Sequence, residues 1–468
     1  MPILHAQQWE WAIQERVYKF TVDSAGNTYT LSDSTFKRFD SVGNLIWQKQ
    51  FSGDLIVRSM VADNVGNLYF TGNFTNLTFG GGSFVSYGNK DAFFCKINPS
   101  GAMSWNKILG GPADDNSTDL SISNSQKLIL CGNAGVAAVI GSTLFTEARF
   151  YAARFDTNGN QEMLLSHTGG HAWEVDFDTM GNIYLLGEIN VDDTLDFGNG
   201  ITLYGCGLGC MGTHFLAKFS SSGASLWAND MGGNYYQPNK TLGVDASGNC
   251  YLTKWQRYSG FYLDKLDSNG VHQWFHSIGG TYGDCQALCI DNTNNIWLAG
   301  DIWIGGFNGQ PFVWEIDSFS NLLSSIPATA SATGTNISVD GYNNVYVSGT
   351  FNDTAVFGST MLLAGSGGFF LAKMNRGAPL ITSTGKSIDM PIVSIFPNPS
   401  SGTFAVNLQN KATEAKISIY DEVGNFVTDN VYIKYGDLHI DLPNKPKGVY
   451  FIEILTGEQR VTKKIILQ

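Results

Sequence analysis

Short apolar runs, each ended by a polar turn rich in glycine and asparagine, recur along the first four fifths of the chain. The segment Asp63-Asn-Val-Gly-Asn-Leu-Tyr69-Phe-Thr-Gly72 returns as Asp178-Thr-Met-Gly-Asn-Ile-Tyr184-Leu-Leu-Gly187 and as Asp340-Gly-Tyr-Asn-Asn-Val-Tyr346-Val-Ser-Gly349. Shorter copies begin at Asp23, Asp245 and Asp291, and a degraded one at Ser123. Successive starts are 40, 60, 55, 67, 46 and 49 residues apart, within the range of propeller blades. The clear copies offer a single Asp, typically followed by a glycine suited to positive φ and then a strand. That is turn chemistry; a calcium loop spreads its ligands over about twelve residues and ends on a distal Glu.

A second signature follows the first. Ala92-Phe-Phe-Cys-Lys-Ile-Asn-Pro-Ser-Gly101-Ala-Met-Ser-Trp105 matches His214-Phe-Leu-Ala-Lys through Trp227 and Phe261-Tyr-Leu-Asp-Lys through Trp274. Apolar runs joined by glycine-containing turns are hairpins, so each unit holds two hairpins and four strands. Seven such units predict an all-β fold, a seven-bladed β-propeller over residues 1–379. The seventh unit stops near Pro379 without a Trp strand, and the segment Gln8-Trp9-Glu-Trp11-Ala-Ile13 precedes the first Asp turn as the other Trp strands precede theirs. The N-terminal strand is therefore expected to complete the last blade and close the ring.

Residues 380–391 read as a polar linker. Beyond it, Ile392–Phe396, Thr403–Leu408, Ala415–Tyr420, Asn425–Thr428, Leu438–Leu442, Val449–Leu455 and Val461–Leu467 are short runs, several alternating apolar with polar residues. Residues 392–468 thus predict a small Ig-like β-sandwich.

Composition sharpens this picture. The 468 residues include 54 glycines, 13% aromatic and only 15% charged residues, as many short strands and tight turns require. The net charge of −13 argues against a nucleic-acid partner, and no apolar run is long enough to span a membrane. Seven cysteines, an odd number, exclude a fully paired disulfide framework. Cys206…Cys210 and Cys285…Cys289 share a spacing open to a local disulfide or a metal, with buried thiols the simpler reading and no histidine pair to complete a zinc site. The start, Met1-Pro-Ile-Leu-His-Ala-Gln, lacks the basic and apolar regions of a signal peptide, and the expectation is a gene start placed downstream of the true one.

The C-terminal residues carry a resemblance. Phe396-Pro397-Asn398-Pro399-Ser-Ser-Gly402 looks like the opening of the type A C-terminal sorting domain of the type IX secretion system. Ile419-Tyr420-Asp421-Glu-Val-Gly424, Pro446-Lys-Gly448-Val-Tyr450 and Lys463-Lys464 match that family's later motifs in order. The resemblance implies a Bacteroidota source, a partner in the type IX machinery, passage through the periplasm, and a place outside the cell or on the outer-membrane surface. The repeats in turn resemble the SBBP family of bacterial propeller repeats, through Gly72…Phe79-Gly80, Gly187…Phe197-Gly198 and Gly349…Phe357-Gly358. That likeness supports the fold and implies little about activity.

Variable loops on a rigid scaffold are where binding resides. The loops after four Gly-Gly pairs carry Asp114, Asp115, His171, Trp173, Tyr235, Tyr236, Tyr282 and Asp284. Rings beside carboxylates suit sugars, whose apolar faces stack and whose hydroxyls need acceptors; these residues form the candidate ligand face, for a glycan or a surface protein. The plainer reading is that they are solvated loop residues. A polysaccharide-degrading enzyme is the alternative, and it requires two carboxyls set across a substrate. Asp192-Asp193 is explained by turn chemistry, and His272…His276 lies on a strand, where i, i+4 is a poor ligand spacing. No catalytic residue, metal site or cofactor is assigned.

Overall fold

The computed structural model describes residues 8–207, 213–232, 242–256, 260–279, 282–303, 310–327, 332–375, 392–409, 415–421, 426–433, 437–443, 445–456 and 459–468. The chain falls into two compact units, one built mainly from residues before Ile381 and the other mainly from Ile381–Gln468. Among the described residues all regular structure is strand.

Among the described residues the first unit contains seven antiparallel sheets built on four strands, the second with a fifth strand added, and in the first six the four follow chain order. The first sheet runs Lys19–Val22, Thr28–Ser32, Thr35–Phe39, Leu45–Gln50. The second runs Ser52–Ala62, Leu68–Phe79, Asp91–Ile97, Met103–Leu109, and the third Asn116–Ile122, Leu128–Ala134, Arg149–Phe155, Gln161–His167. Gly170–Phe177, Ile183–Ile189, Thr213–Phe219 and Ser225–Gly232 make the fourth. The fifth starts at Leu242–Val244, the sixth at Tyr282–Ile290 and the seventh at Ala332–Val339. In the seventh the fourth place is filled from the other end of the chain: Gln8–Ile13 pairs antiparallel with Thr360–Asn375. The first strands of consecutive sheets touch one another in a cycle, the seventh against the first included. This is a propeller-like all-β fold.

The repeated motif explains what fastens one sheet to the next. In each turn one Asp oxygen accepts backbone N–H groups two and four residues on, as Asp63 Oδ1 does from Val65 (3.1 Å) and Asn67 (2.7 Å). Oδ2 accepts from the Asn side chain and the Tyr hydroxyl, Asn67 at 2.6 Å and Tyr69 at 3.0 Å, except at Asp291, where the Trp297 indole donates at 3.2 Å and Asn295 turns to Glu315. The Tyr also reaches forward: Tyr29 donates to Gly66 O (2.8 Å), Tyr184 to Gly248 O (2.8 Å) and Tyr346 to Gly26 O (3.1 Å). A second clamp joins the Lys or Arg of the third strand and the Trp of the fourth, both donating to one carbonyl in the next sheet's second hairpin turn. Lys96 and Trp105 share Thr157 O (3.1 and 3.2 Å), and Lys218 and Trp227 share Ser268 O (3.0 and 3.1 Å). Lys373 and Trp11, from opposite ends of the chain, share Ser41 O (both 3.1 Å). The indole then lies on the turn glycine, so that a Cβ at Gly159 or Gly270 would meet Trp105 or Trp227. Both glycines also have positive φ, and conformation and packing therefore demand the same residue.

Among the described residues, four of the connections between second and third strands carry extra hairpins, as with Gly82–Val85 on Leu68–Phe79 and Thr194–Gly198 with Ile201–Tyr204. The Phe of each Phe-Gly pair folds into the core: Phe79, Phe197 and Phe357 are all buried. Cys206 is disulfide-bonded, its partner lying outside the described residues. Cys285 and Cys289, spaced alike, are both free thiols on one strand, as are the buried Cys95, Cys131 and Cys250.

The second unit has a three-stranded sheet, ordered Ile392–Phe396, Thr403–Gln409, Asp437–Asp441, and a four-stranded one, ordered Phe426–Ile433, Ala415–Asp421, Gly448–Thr456, Gln459–Leu467. Phe404, Val406 and Ile440 of the first share one core with Ile417, Ile419, Ile452, Ile454 and Ile465 of the second.

Candidate functional site

The structure divides the candidate ligand face. Asp114 and His171 are exposed. Asp115 and Trp173 are 1% and 7% exposed, so neither presents its side chain to a ligand. Trp173 packs edge-on against His214, ring centroids 4.8 Å apart. Burial, with a smaller contribution from the Lys254 charge, pushes the His214 imidazole down to about 4. Tyr235 and Tyr236 lie outside the described residues, as do the side chains of Tyr282 and Asp284.

Asp115 is turned inward because its loop folds over it. Its two oxygens accept from Gly111 N and Gly135 N, each at 2.6 Å. Asp91 lies beside it, fully buried, with Oδ2 accepting from Tyr87 N at 2.6 Å. Gly110 is in contact with both carboxyls, and a Cβ there would run into each of them.

Above this pair is a cleft of about 540 Å³ lined by Tyr87, Lys107, Pro112, Ala137, Val139 and the glycine backbone of 110–111. Tyr87 is 68% exposed, and Val85 and Leu144 stand exposed on the hairpins at either side. Apart from the Gly110–Pro112 stretch of a candidate loop, none of these was singled out from the sequence. The available signal was position: Tyr87 lies between the extra hairpin and the Phe/Lys strand of the second sheet, and Val139 begins the hairpin of the third.

Carboxylates from two sheets also come together on the first strands. Asp119 accepts from Val175 N (3.1 Å), Glu174 from Leu242 N (2.5 Å), and Asp176 from Val244 N (3.1 Å) and Ser121 Oγ (2.7 Å). Burial is the main cause that raises Asp119 and lifts Asp176 to about 6. Each of these carboxylates ties its own strand to the next sheet's backbone, which is structural work. Among the described residues no three His, Cys, Asp or Glu side chains are grouped to hold a metal ion.

In the second unit the first and last motifs of the sequence meet. Asn398 donates to Lys464 O (2.8 Å) and accepts from Ile466 N (2.9 Å), and Ser400 N donates to Ile466 O (2.8 Å). The Lys463 and Lys464 side chains are exposed, Tyr450 donates to Pro446 O (2.8 Å), and Gly424 lies outside the described residues. Residues 394–468 match the secretion system C-terminal sorting domain. The sorting domain marks the chain for export by the type IX machinery to the cell surface or the extracellular space.

No curated protein matches the chain. Among solved structures it is similar to the Pan2 WD40 domain of Neurospora crassa, at 7% identity over 80% of this chain and 96% of that one, TM-score 0.44. It is also similar to a gluconolactonase from Xanthomonas campestris (13%, 66% and 90%, 0.33). A third likeness is to a protein of unknown function from Bacteroides caccae (11%, 58% and 84%, 0.33). Among the described residues no helix is long and apolar enough to cross a membrane.

Proposed function

We propose that residues 1–379 form a closed seven-bladed β-propeller of the SBBP-repeat kind, and that it is a glycan-binding module carried outside the cell by the sorting domain, an Ig-like sandwich. The observation that carries this reading is the cleft at Tyr87, on the side of the disc where the extra hairpins project. An exposed phenol ring beside Pro112 and Val139 offers an apolar platform for a sugar face. Lys107 and the nearby Asp114 supply a donor and an acceptor for hydroxyls. The remaining exposed candidate, His171, lies near the start of the strand Gly170–Phe177, the first of the fourth sheet.

The test is a polysaccharide-binding screen on the full chain, with Tyr87→Ala as the control. Saturable binding that Tyr87→Ala weakens at least about tenfold without lowering the melting temperature supports the module, since one stacked ring is worth about 1–3 kcal/mol. Binding that survives the substitution moves the site elsewhere on the disc. Release of reducing sugar from the bound polysaccharide would instead make the protein a degrading enzyme.

A further inference from the structure

Asp91 and Asp115 have no part in gripping a sugar, yet both border Gly110, whose backbone lines the cleft. Both carboxyls are buried. Three of their four oxygens accept backbone N–H groups, from Tyr87, Gly111 and Gly135. Tyr87 and Gly111 themselves line the cleft, and Gly135 lies two residues before Ala137, which also lines it. The fourth oxygen, Asp91 Oδ1, is buried, has no donor from the protein, and borders Gly110 together with Asp115 Oδ2.

Two buried carboxyls side by side cannot both remain charged without a counter-charge. The charged and titratable groups around them do not provide one. Lys90 and Asp114, their chain neighbours, are exposed, and Lys107 lines the open cleft with its side-chain end against Gly159. Tyr151, from the third strand of the third sheet, is a buried phenol held well above its ordinary range by burial, so it stays neutral. A hard divalent cation takes about six to eight oxygen ligands, and here one carboxyl oxygen is left over. One proton fits that vacancy in the hydrogen-bond pattern.

We infer that Asp91 holds a proton against the Asp115 carboxyl and that the pair acts as a pH-operated latch on the cleft: with that proton in place the pair draws the three loops together, and without it the loops part. The inference rests on the reading of the cleft as the ligand site only for its consequence, not for the latch itself. Burial first, and then the Asp115 carboxyl working against the Tyr87 amide, push Asp91 up from the ordinary 3.8 to about 6. A carboxyl raised on folding stabilises the folded arrangement on the acid side, and that contribution disappears as pH rises through the folded value. The latch is therefore shut in mildly acid surroundings and loosened above about pH 6.

Amide hydrogen exchange on the full chain between pH 4.5 and 8, corrected for intrinsic exchange, reads the latch without any ligand. Peptides covering 86–92, 110–117 and 133–139 should lose protection at least about tenfold with a common midpoint near pH 6, while peptides from Thr213–Phe219 stay flat. Asp91→Asn keeps the shape, donates an N–H to Asp115 and should remove the transition. Should that variant fold poorly, the infrared carboxylic-acid band of the unaltered protein must still titrate near pH 6. Flat protection in the wild type, or a transition that persists in Asp91→Asn, overturns the proposal. So does recovery of protection at pH 8 on adding calcium, which would make the pair a cation site. If the exchange transition appears but no glycan binds, the latch stands and the ligand reading fails.

Discussion

Truncating Trp11 tests whether the two ends of the chain lock the ring as firmly as an internal junction does. Trp11 Nε1 donates to Ser41 O at 3.1 Å, its ring stands 6.1 Å from that of Tyr346 at 67°, and it covers Gly43. Trp227 does the same inside the ring, with Ser268 O at 3.1 Å, Tyr184 at 6.0 Å and 71°, and Gly270 beneath. Trp11→Ala removes one hydrogen bond of about 1 kcal/mol and an aromatic contact of about 1 kcal/mol. The packing of a half-buried indole on the glycine turn brings the total to about 3 kcal/mol, the low end for a large aromatic. Trp227→Ala should cost the same within about 1 kcal/mol. Spread over a unit of this size, about 3 kcal/mol lowers the melting temperature by only about 4 °C, so urea midpoints at constant slope are the better assay. A closed ring predicts equal shifts for the two variants. If Trp11→Ala moves the midpoint by less than a third of what Trp227→Ala does, the terminal strand is a loose appendage and the closure argument is refuted.

Two further outcomes follow from the same contacts. His214, buried against Trp173 and depressed to about 4, is neutral in the folded protein at pH 6; its stabilising contribution is complete above about 6.5 and fades as pH falls towards 4. A proton NMR titration of its imidazole should show a midpoint near 4, and a midpoint near 6.5 would place the ring in water. Removal of residues 463–468 takes away the strand end that Asn398 and Ser400 hold, so the protein should accumulate in the periplasm, checked by fractionation. Normal surface delivery of that truncation would separate export from the sorting domain.

What could be read from the chain and what could not divides by the range of the interaction. An Asp that accepts N–H groups two and four residues on, or a glycine at positive φ, settles its turn within one turn's length, so the repeat, the hairpins and the strand count were legible. The same holds for the C-terminal motifs, whose strands begin and end close to where the alternation put them. Exposure obeys no such local rule. Asp114 and Asp115 are neighbours, yet one faces water and the other is capped by Gly111 and by Gly135 of a different hairpin. Trp173 looked like a ligand platform and is instead a core ring, because His214 from a third strand closes over it. Tyr87, unremarked in the sequence, is an exposed aromatic that lines a cleft together with Pro112 and Val139 from distant parts of the chain. Local hydrogen bonding and periodicity decided the fold and the address of this protein; only the stacking of one sheet on the next decided which side chains are free to meet a ligand, because burial is conferred by residues far away in sequence.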